Sequence, residues 1–351
     1  MPGSTASRLK GLTSSIASNY YIRKLAVSLV TLLGISLLIF TLARVLPGDP
    51  ARLALGPRAP EEVVEQYRRA LRLHEPLYIQ YYYWLADVLQ GRFGISLVTF
   101  RDVAVDIVEF LPATVELIVF TLIIDFVGAF ALGVLAGRKP NSIIDNSVRI
   151  FTYVAIAIPS FVWAIILQLV IASWLDLLPA YGRLSVGISV PRITGLVTID
   201  SLVTGNLPAF IDGIRHLIIP SLSLALGSIA QEARILRANL IENIGKDYVL
   251  NMYSHGIPST IIFFKYALKP SMIPTLTIMA LDTASILGNA FLVELIFNWP
   301  GLSRYGVVAM LRKDLNAIVG VVLVIGLAYT LASIVIDLLV AYLDPRVRHR
   351  R

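Results

Sequence analysis

Long uncharged runs alternate along this chain with charged stretches rich in glycine and proline. Residues 25–43 carry no charge over 19 positions, residues 150–175 none over 26, and residues 318–336 none over 19. About 20 apolar residues of helix cross the hydrocarbon of a bilayer. Backbone groups in lipid find no water to bond, so each run predicts a transmembrane helix. Three weaker spans join them. Residues 117–137 are apolar apart from Asp125, residues 217–231 are uncharged over only 15 positions, and residues 270–297 are apolar but hold Asp282 and Glu294. The pattern predicts an all-α polytopic membrane protein of six transmembrane helices.

The connections are uneven. Residues 44–114 form a large loop region after the first helix, too long for a simple connection. Within it, the stretch 61–73 predicts an amphipathic helix with Val63, Val64, Tyr67 and Leu71 on one face. Acids open that helix and Arg68, Arg69 and Arg72 close it, as the helix dipole favours. The cluster QYYYWL (residues 80–85) suits a membrane interface, where aromatic side chains concentrate, or the surface of an external partner. Residues 176–215, rich in glycine, proline and β-branched residues, predict short strands or an irregular cap.

The segment DYVLNMYSHGIPSTIIFFKYALK (residues 247–269) stands apart from the other loops. Residues 232–246 can continue the fourth span as a polar helix. Residues 247–255 then predict a short helix, closed by Gly256 in the left-handed conformation and barred from continuing by Pro258. A short, capped helix across a membrane surface can dock another protein and transmit a push. An ordinary solvated loop is the alternative.

Composition agrees with the membrane reading. Of 351 residues, 56% are hydrophobic and 15% charged, where soluble domains run nearer a quarter charged; the mean hydropathy is +0.75. The chain has no cysteine, which excludes disulfides and cysteine-based metal sites. The first apolar run is longer than a signal-peptide core and lacks a small-x-small cleavage pattern after it, so a retained helix is expected. The net charge of +7 falls mostly in alternate loops. The amino-terminal segment, the loop after the second span, the 232–271 loop and the carboxyl-terminal tail carry a basic excess. Residues 44–114 balance eight bases with nine acids, and residues 176–215 three with three. Basic residues concentrate on the cytoplasmic side, so both termini are expected there. No basic stripe is interleaved with aromatics, which argues against nucleic acid.

No phosphate-binding GxxxxGK[ST] loop or HExxH motif is present, and the four histidines are scattered. Hydrolysis by this chain is therefore not expected. Solute movement would draw on an ion gradient or on a partner.

Several motifs carry a family resemblance. FTLARVLPGDP (residues 40–50), LRLHEPLYIQYYYWL (71–85), GRFGIS (91–96), LPATVEL (111–117), IPSF (158–161), LPAYG (178–182), RHLIIPSL (215–222), ELIFNWPGLSRY (294–305) and LDPRVR (343–348) occur in that order. With them, nearly the whole chain resembles a permease subunit of the dipeptide/oligopeptide (Dpp/Opp) branch of binding-protein-dependent ABC importers. That resemblance implies a type I importer-like bundle of six transmembrane helices in the cell membrane. It divides the chain into a cytoplasmic stretch 1–24, a first helix 25–43, an external region 44–114, a permease core 115–343 with a cytoplasmic coupling loop 232–271, and a basic tail 344–351.

The implied partners are a second homologous permease, two ABC ATPase subunits and an external substrate-binding protein, all assembled in membrane lipid. ATP and Mg²⁺ would belong to the ATPases, and no cofactor to this chain. The family's coupling loop maps onto Asp247, Tyr248, Val249, Gly256, Ala267 and Leu268. Leu250-Asn251-Met252 stands where many importers have Glu-Ala-Ala. The implied cargo is a di- or oligopeptide, with oligosaccharides or nickel chelates as alternatives within the branch.

Acids inside hydrocarbon cost at least ~2.5–3.5 kcal/mol each on insertion scales. Asp125, Asp282 and Glu294 therefore face the bundle interior, as part of a translocation path, a proton relay of an ion-coupled transporter, or helix–helix hydrogen bonds. Glu294, just before Phe297 and Trp299, is expected near the outer surface. Gly128 and Gly133, like Gly320 and Gly326, could allow close helix packing or be ordinary membrane glycines.

Overall fold

The computed structural model describes residues 26–41, 50–56, 58–70 and 72–343. The start of the first predicted span and the 344–351 tail lie outside them. The chain divides into two compact units, one of residues 1–106 and 308–351, the other of residues 107–307.

In the first unit, α1 (Ala26–Thr41) is apolar, and the short α2 (Pro50–Leu55) comes next in the chain. The helix α3 (Glu61–Ala70) has acids at its start and Arg68 and Arg69 at its end, as its sequence predicts. Arg68 pairs with Glu61 at 2.9 Å and with Glu65 at 3.1 Å. Val64 is buried, but Val63 is 44% exposed, so the apolar face is narrower than expected; Leu71 lies outside the described residues. The aromatic helix α4 (Leu77–Leu89) turns inward at Tyr81, whose hydroxyl lies 2.8 Å from the Ser36 hydroxyl of α1. Phe40 packs edge-on to Tyr81, ring centres 5.3 Å apart. Tyr78 and Tyr82 remain exposed.

The last helix, α14 (Leu315–Leu343), is preceded by Asp314. Its buried carboxylate accepts hydrogen bonds from the Ser96 hydroxyl and the Leu97 N–H, both at 2.6 Å. Gly94 explains part of the GRFGIS motif. Its φ is +91°, and a Cβ there would sit 2.8 Å from the Asn316 amide nitrogen, so only glycine avoids both penalties.

The second unit is built on α9 (Leu207–Ile244), a 38-residue helix. The fourth predicted span covered only its middle, because charged residues at both ends hide its length. Around α9 pack α6 (Ile143–Ala157), α7 (Ser160–Leu167, running on as a π-helical turn to Trp174), α8 (Val197–Val203) and α12 (Lys269–Ile296). The 36-residue α5 (Val103–Arg138) meets α9 through glycine. A Cβ on Gly128 would lie 2.8 Å from Ile229, one on Gly133 2.8 Å from Leu236, and one on Gly137 2.9 Å from Leu240. These three glycines therefore set the approach of the two helices.

The 26-residue uncharged run is not one rod. The helix pair Ile143–Ala157 and Ser160–Trp174 bends by 108°. Pro159 holds the preceding Ile158 at φ −100°, ψ 122°, outside the helical region, which is what a following proline imposes. The indole N–H of Trp163 donates to the Ala155 carbonyl at 3.2 Å, replacing a partner that the break removes. Among the described residues, four helices are long and apolar enough to cross a membrane, or five counting the bent pair as one; α1 is shorter, at Ala26–Thr41.

Residues 176–196 are irregular, without strands. Three acids hold them down. Glu116 pairs with Arg183, Asp212 accepts from the Ser185 N–H and hydroxyl, both at 2.7 Å, and Asp200 gathers the N–H groups of Ile193, Thr194 and Gly195. In the LPAYG motif, Gly182 has φ +80° and donates its N–H to the Phe297 carbonyl at 2.9 Å.

Candidate functional site

The 247–258 segment is closed as its sequence predicts. The helix α10 (Asp247–Ser254) begins after Lys246 with Asp247 in its first turn, where the dipole favours an acid. At its end the Gly256 N–H donates to the Tyr253 carbonyl at 3.0 Å and the Ile257 N–H to the Met252 carbonyl at 3.2 Å. Gly256 has φ +72°. The two bonds and the left-handed residue together make a Schellman cap.

Of the six residues mapped to this region, Asp247, Tyr248 and Gly256 are exposed, while Val249, Ala267 and Leu268 are buried. The last three are therefore unavailable to a partner in this structure. Val249 anchors α10. Ala267 and Leu268 pack against Leu236 and Leu240 of α9. The outward face of α10 instead offers Leu250 and Tyr253, 55% and 46% exposed. These are three residues apart and so share one side of the helix.

The segment that follows is helical much earlier than residue 270. The turn α11 (Ser259–Ile261), a π-helical turn (Ile262–Leu268) and α12 run on as one apolar helix, Ser259–Ile296. The irregular part of the 232–271 loop is thereby reduced to short joints around α10. Asn243 near the end of α9 donates to the buried Ser271 hydroxyl at 2.8 Å, and that hydroxyl donates to the Ala267 carbonyl at 2.6 Å. The Tyr248 hydroxyl donates to the Tyr266 carbonyl at 3.0 Å. Both flanks of α10 are thus pinned to the bundle, so displacement of α10 would act on α9 and α12.

The acids separate into two groups. Asp125 of α5 and Glu232 of α9 are fully buried and face each other. None of their four oxygens has a hydrogen-bond donor among the described residues. Two unpaired carboxylates in so apolar a place repel each other. Asp282 of α12 lies near them, half-buried, and accepts from the Gln231 amide at 3.0 Å. Asp125 and Asp282 are thus brought together, with Glu232 between them in the series. Glu232 escapes a reading of charge-free runs because its own charge marks where the run stops. Beside this cluster, Phe126, Phe130, Met272 and Met279 line a crevice of about 10 Å³, no more than one water could fill.

Glu294 belongs elsewhere. It is fully buried and its carboxyl is occupied. The Thr114 hydroxyl donates to it at 2.6 Å and the Arg304 N–H at 2.8 Å. It thereby caps the amino end of α13 (Leu302–Arg312), where orphan N–H groups need acceptors. The Thr114 hydroxyl in turn accepts from the Leu302 N–H at 2.8 Å, and the Trp299 indole donates to the Ala113 carbonyl at 2.9 Å. A Cβ on Gly301 would lie 2.5 Å from the Glu294 carboxyl carbon. ELIFNWPGLSRY and LPATVEL are therefore two halves of one buried joint. The Glu294 oxygens are thus committed to that joint, as the helix–helix hydrogen-bond alternative has it.

A polytopic helical bundle with this capped segment has matches among known proteins. The family model of the binding-protein-dependent transport system inner membrane component matches residues 129–349. Its amino-terminal companion matches residues 18–118. The chain belongs to this family. As an inner membrane component, it is 32% identical to the dipeptide transport system permease protein of Alkalihalophilus pseudofirmus, over 94% of this chain and 99% of the relative. It is 33% identical to the di/tripeptide transport system permease protein of Pseudomonas aeruginosa, over 95% and 99%. It is 31% identical to the glutathione transport system permease protein of Escherichia coli (strain K12), again over 95% and 99%. Among its described residues, no group of three or more histidines or acids is placed to hold a metal ion.

Proposed function

We infer that this inner membrane component is the permease subunit of an ABC importer that carries di- or oligopeptides. Its relatives are named for dipeptide, di/tripeptide and glutathione transport, and all of these are peptides. In this reading an external binding protein delivers the solute, a second homologous permease completes the pathway, and two ATPase subunits supply the energy. ATP and Mg²⁺ reside on those ATPases; this chain performs no hydrolysis. The basic excess in alternate loops puts both termini and α10 in the cytoplasm.

The observation that carries the coupling role is the capped helix α10, with Leu250 and Tyr253 outward and both flanks tied to the bundle. ATPase closure moves α10, and α9 and α12 transmit that motion to the acids Asp125, Glu232 and Asp282. Asp282, the most accessible of the three, is the acid placed to meet the ammonium group of a peptide. Reconstitution of the complete complex in proteoliposomes tests this. ATP-dependent uptake of a labelled dipeptide is expected, dependent on the binding protein and lost when Leu250 and Tyr253 are both replaced by aspartate. Uptake of an oligosaccharide but not of peptides would refute the cargo. The buried acids favour one competing reading, ion-coupled transport, and uptake by this chain alone under a proton gradient would establish it instead.

A further inference from the structure

A second cavity opens between α6 and α9. Its volume is about 50 Å³, and Arg149, Thr152 and Tyr153 of α6 meet Arg234 and Arg237 of α9 around it. That space holds several waters, by the rule of ~10–15 Å³ for one, and so suits a group the size of a tetrahedral oxyanion. Arg149 and Tyr153 are four residues apart on α6, and Arg234 and Arg237 three apart on α9. Each pair therefore points from one helical face.

The arginines differ in what holds them. Arg237 is engaged by both oxygens of the buried Asp145, its terminal nitrogen at 2.7 Å. Asp145 also accepts the Asn141 N–H at 2.8 Å. Among the described residues, Arg149 reaches only the Asn146 side-chain oxygen, at 3.5 Å. Among the described residues, no carboxylate lies within ion-pair distance of Arg149 or Arg234. Three guanidinium groups thus surround the cavity, and one of them, Arg237, is in direct contact with a carboxylate. Arg149, Tyr153 and Arg234 are exposed at its mouth, so a ligand has a way in.

We propose that this cavity binds a phosphate group, with Arg149 and Arg234 as its direct ligands and Arg237 as the fixed wall behind them. Guanidinium groups bind phosphate oxygens through paired, charge-assisted hydrogen bonds. Basic pockets between membrane helices on the cytoplasmic side take lipid headgroups, and the charge bias of the loops assigns this cavity to that side. The phosphate can thus come from an anionic lipid or from free phosphate; the chemistry of the site is the same.

The test uses the complete complex in two preparations. In nanodiscs of phosphatidylcholine containing phosphatidylglycerol, lipid retained through detergent washing is counted by native mass spectrometry. In phosphatidylcholine alone, binding of inorganic phosphate is followed by phosphorus NMR. One basic residue beside an anionic lipid contributes roughly a fivefold factor. Arg149→Gln and Arg234→Gln are each expected to lower occupancy about that much, and Arg138→Gln, a control at the exposed end of α5, to leave it unchanged. The direct contacts to Asp145 come from Arg237, so neither change removes a hydrogen bond of the Arg237–Asp145 pair. Arg234→Lys should recover part of the loss. Loss confined to phosphatidylglycerol identifies a lipid headgroup, and loss confined to inorganic phosphate identifies the free anion. Equal occupancy of both probes in wild type and both glutamine variants would overturn the proposal.

Discussion

Glu294 and Asp282 sit on the same helix, and the structure separates their roles sharply enough to be measured. Replacing Glu294 by alanine removes the acceptor for the Thr114 hydroxyl and the Arg304 N–H. It leaves those donors buried without partners, at about 1–3 kcal/mol each. With the cavity that truncation opens, the loss comes to about 3–5 kcal/mol, in the range of a broken buried network. Glutamine keeps one acceptor oxygen, so Glu294→Gln should cost about 1–3 kcal/mol.

Each kcal/mol shifts the midpoint by roughly 2–4 °C in a unit of this size. Thermal unfolding of the purified complex, followed by tryptophan fluorescence, should therefore drop by about 10 °C for alanine and by several degrees for glutamine. Transport per folded molecule should stay near wild type in Glu294→Gln. Asp282→Asn should do the reverse, because among the described residues Asp282 accepts only the Gln231 amide, a bond that asparagine can still receive. Its midpoint should hold while peptide uptake falls. A Glu294→Gln variant that keeps its midpoint and loses transport would refute the assignment of Glu294 to the joint.

Gly256→Val forces a β-branched residue to φ +72°, at a cost of at least about 1–2 kcal/mol; ATP-dependent uptake should fall while ATPase activity persists, and normal uptake would count against a coupling role for α10. Gly133→Leu drives a side chain into Leu236, already 2.8 Å from an added Cβ, and should destabilise by about 1–3 kcal/mol, read as a lower unfolding midpoint with no such effect from Gly227→Ala, where nothing lies near. Asp200 lies outside the spans, and although burial opposes its charge, the Thr194 hydroxyl and the N–H groups of Thr194, Ile193 and Gly195 hold its carboxyl below the ordinary 3.8. Its contribution is complete above that unfolded value and is lost as pH falls through the lowered folded one, so Asp200→Asn should lower the midpoint at pH 7, by a margin that shrinks as the pH is taken below 3.8.

What the chain discloses in advance follows from how each feature is encoded. The cap at Gly256 is local: a polar helix, a glycine and a proline within a few residues specify it, and its two hydrogen bonds appear as expected. Apolar runs report composition along a line and say little of direction, so residues 150–175 read as one span although Pro159 turns the chain by 108°. Runs also end at charges. That rule shortened α9 to residues 217–231 and hid Glu232, the acid nearest to Asp125. The role of Glu294 was out of reach because its partner Thr114 is 180 positions away; nothing near Glu294 announces a joint rather than a path. Ala267 and Leu268 match the resemblance, yet they pack against Leu236 and Leu240 of α9, and only packing discloses that.

The corner between α6 and α7 bears on how the chain enters its membrane. A helix broken in lipid normally strands carbonyls, at several kcal/mol apiece. Here Pro159 brings no N–H that would need a partner, and Trp163, a few residues on, supplies a donor to the Ala155 carbonyl. That repair is made entirely from residues 155–163. A nascent chain can therefore satisfy the Ala155 carbonyl within the bend itself, before α9 has been synthesised to pack against it.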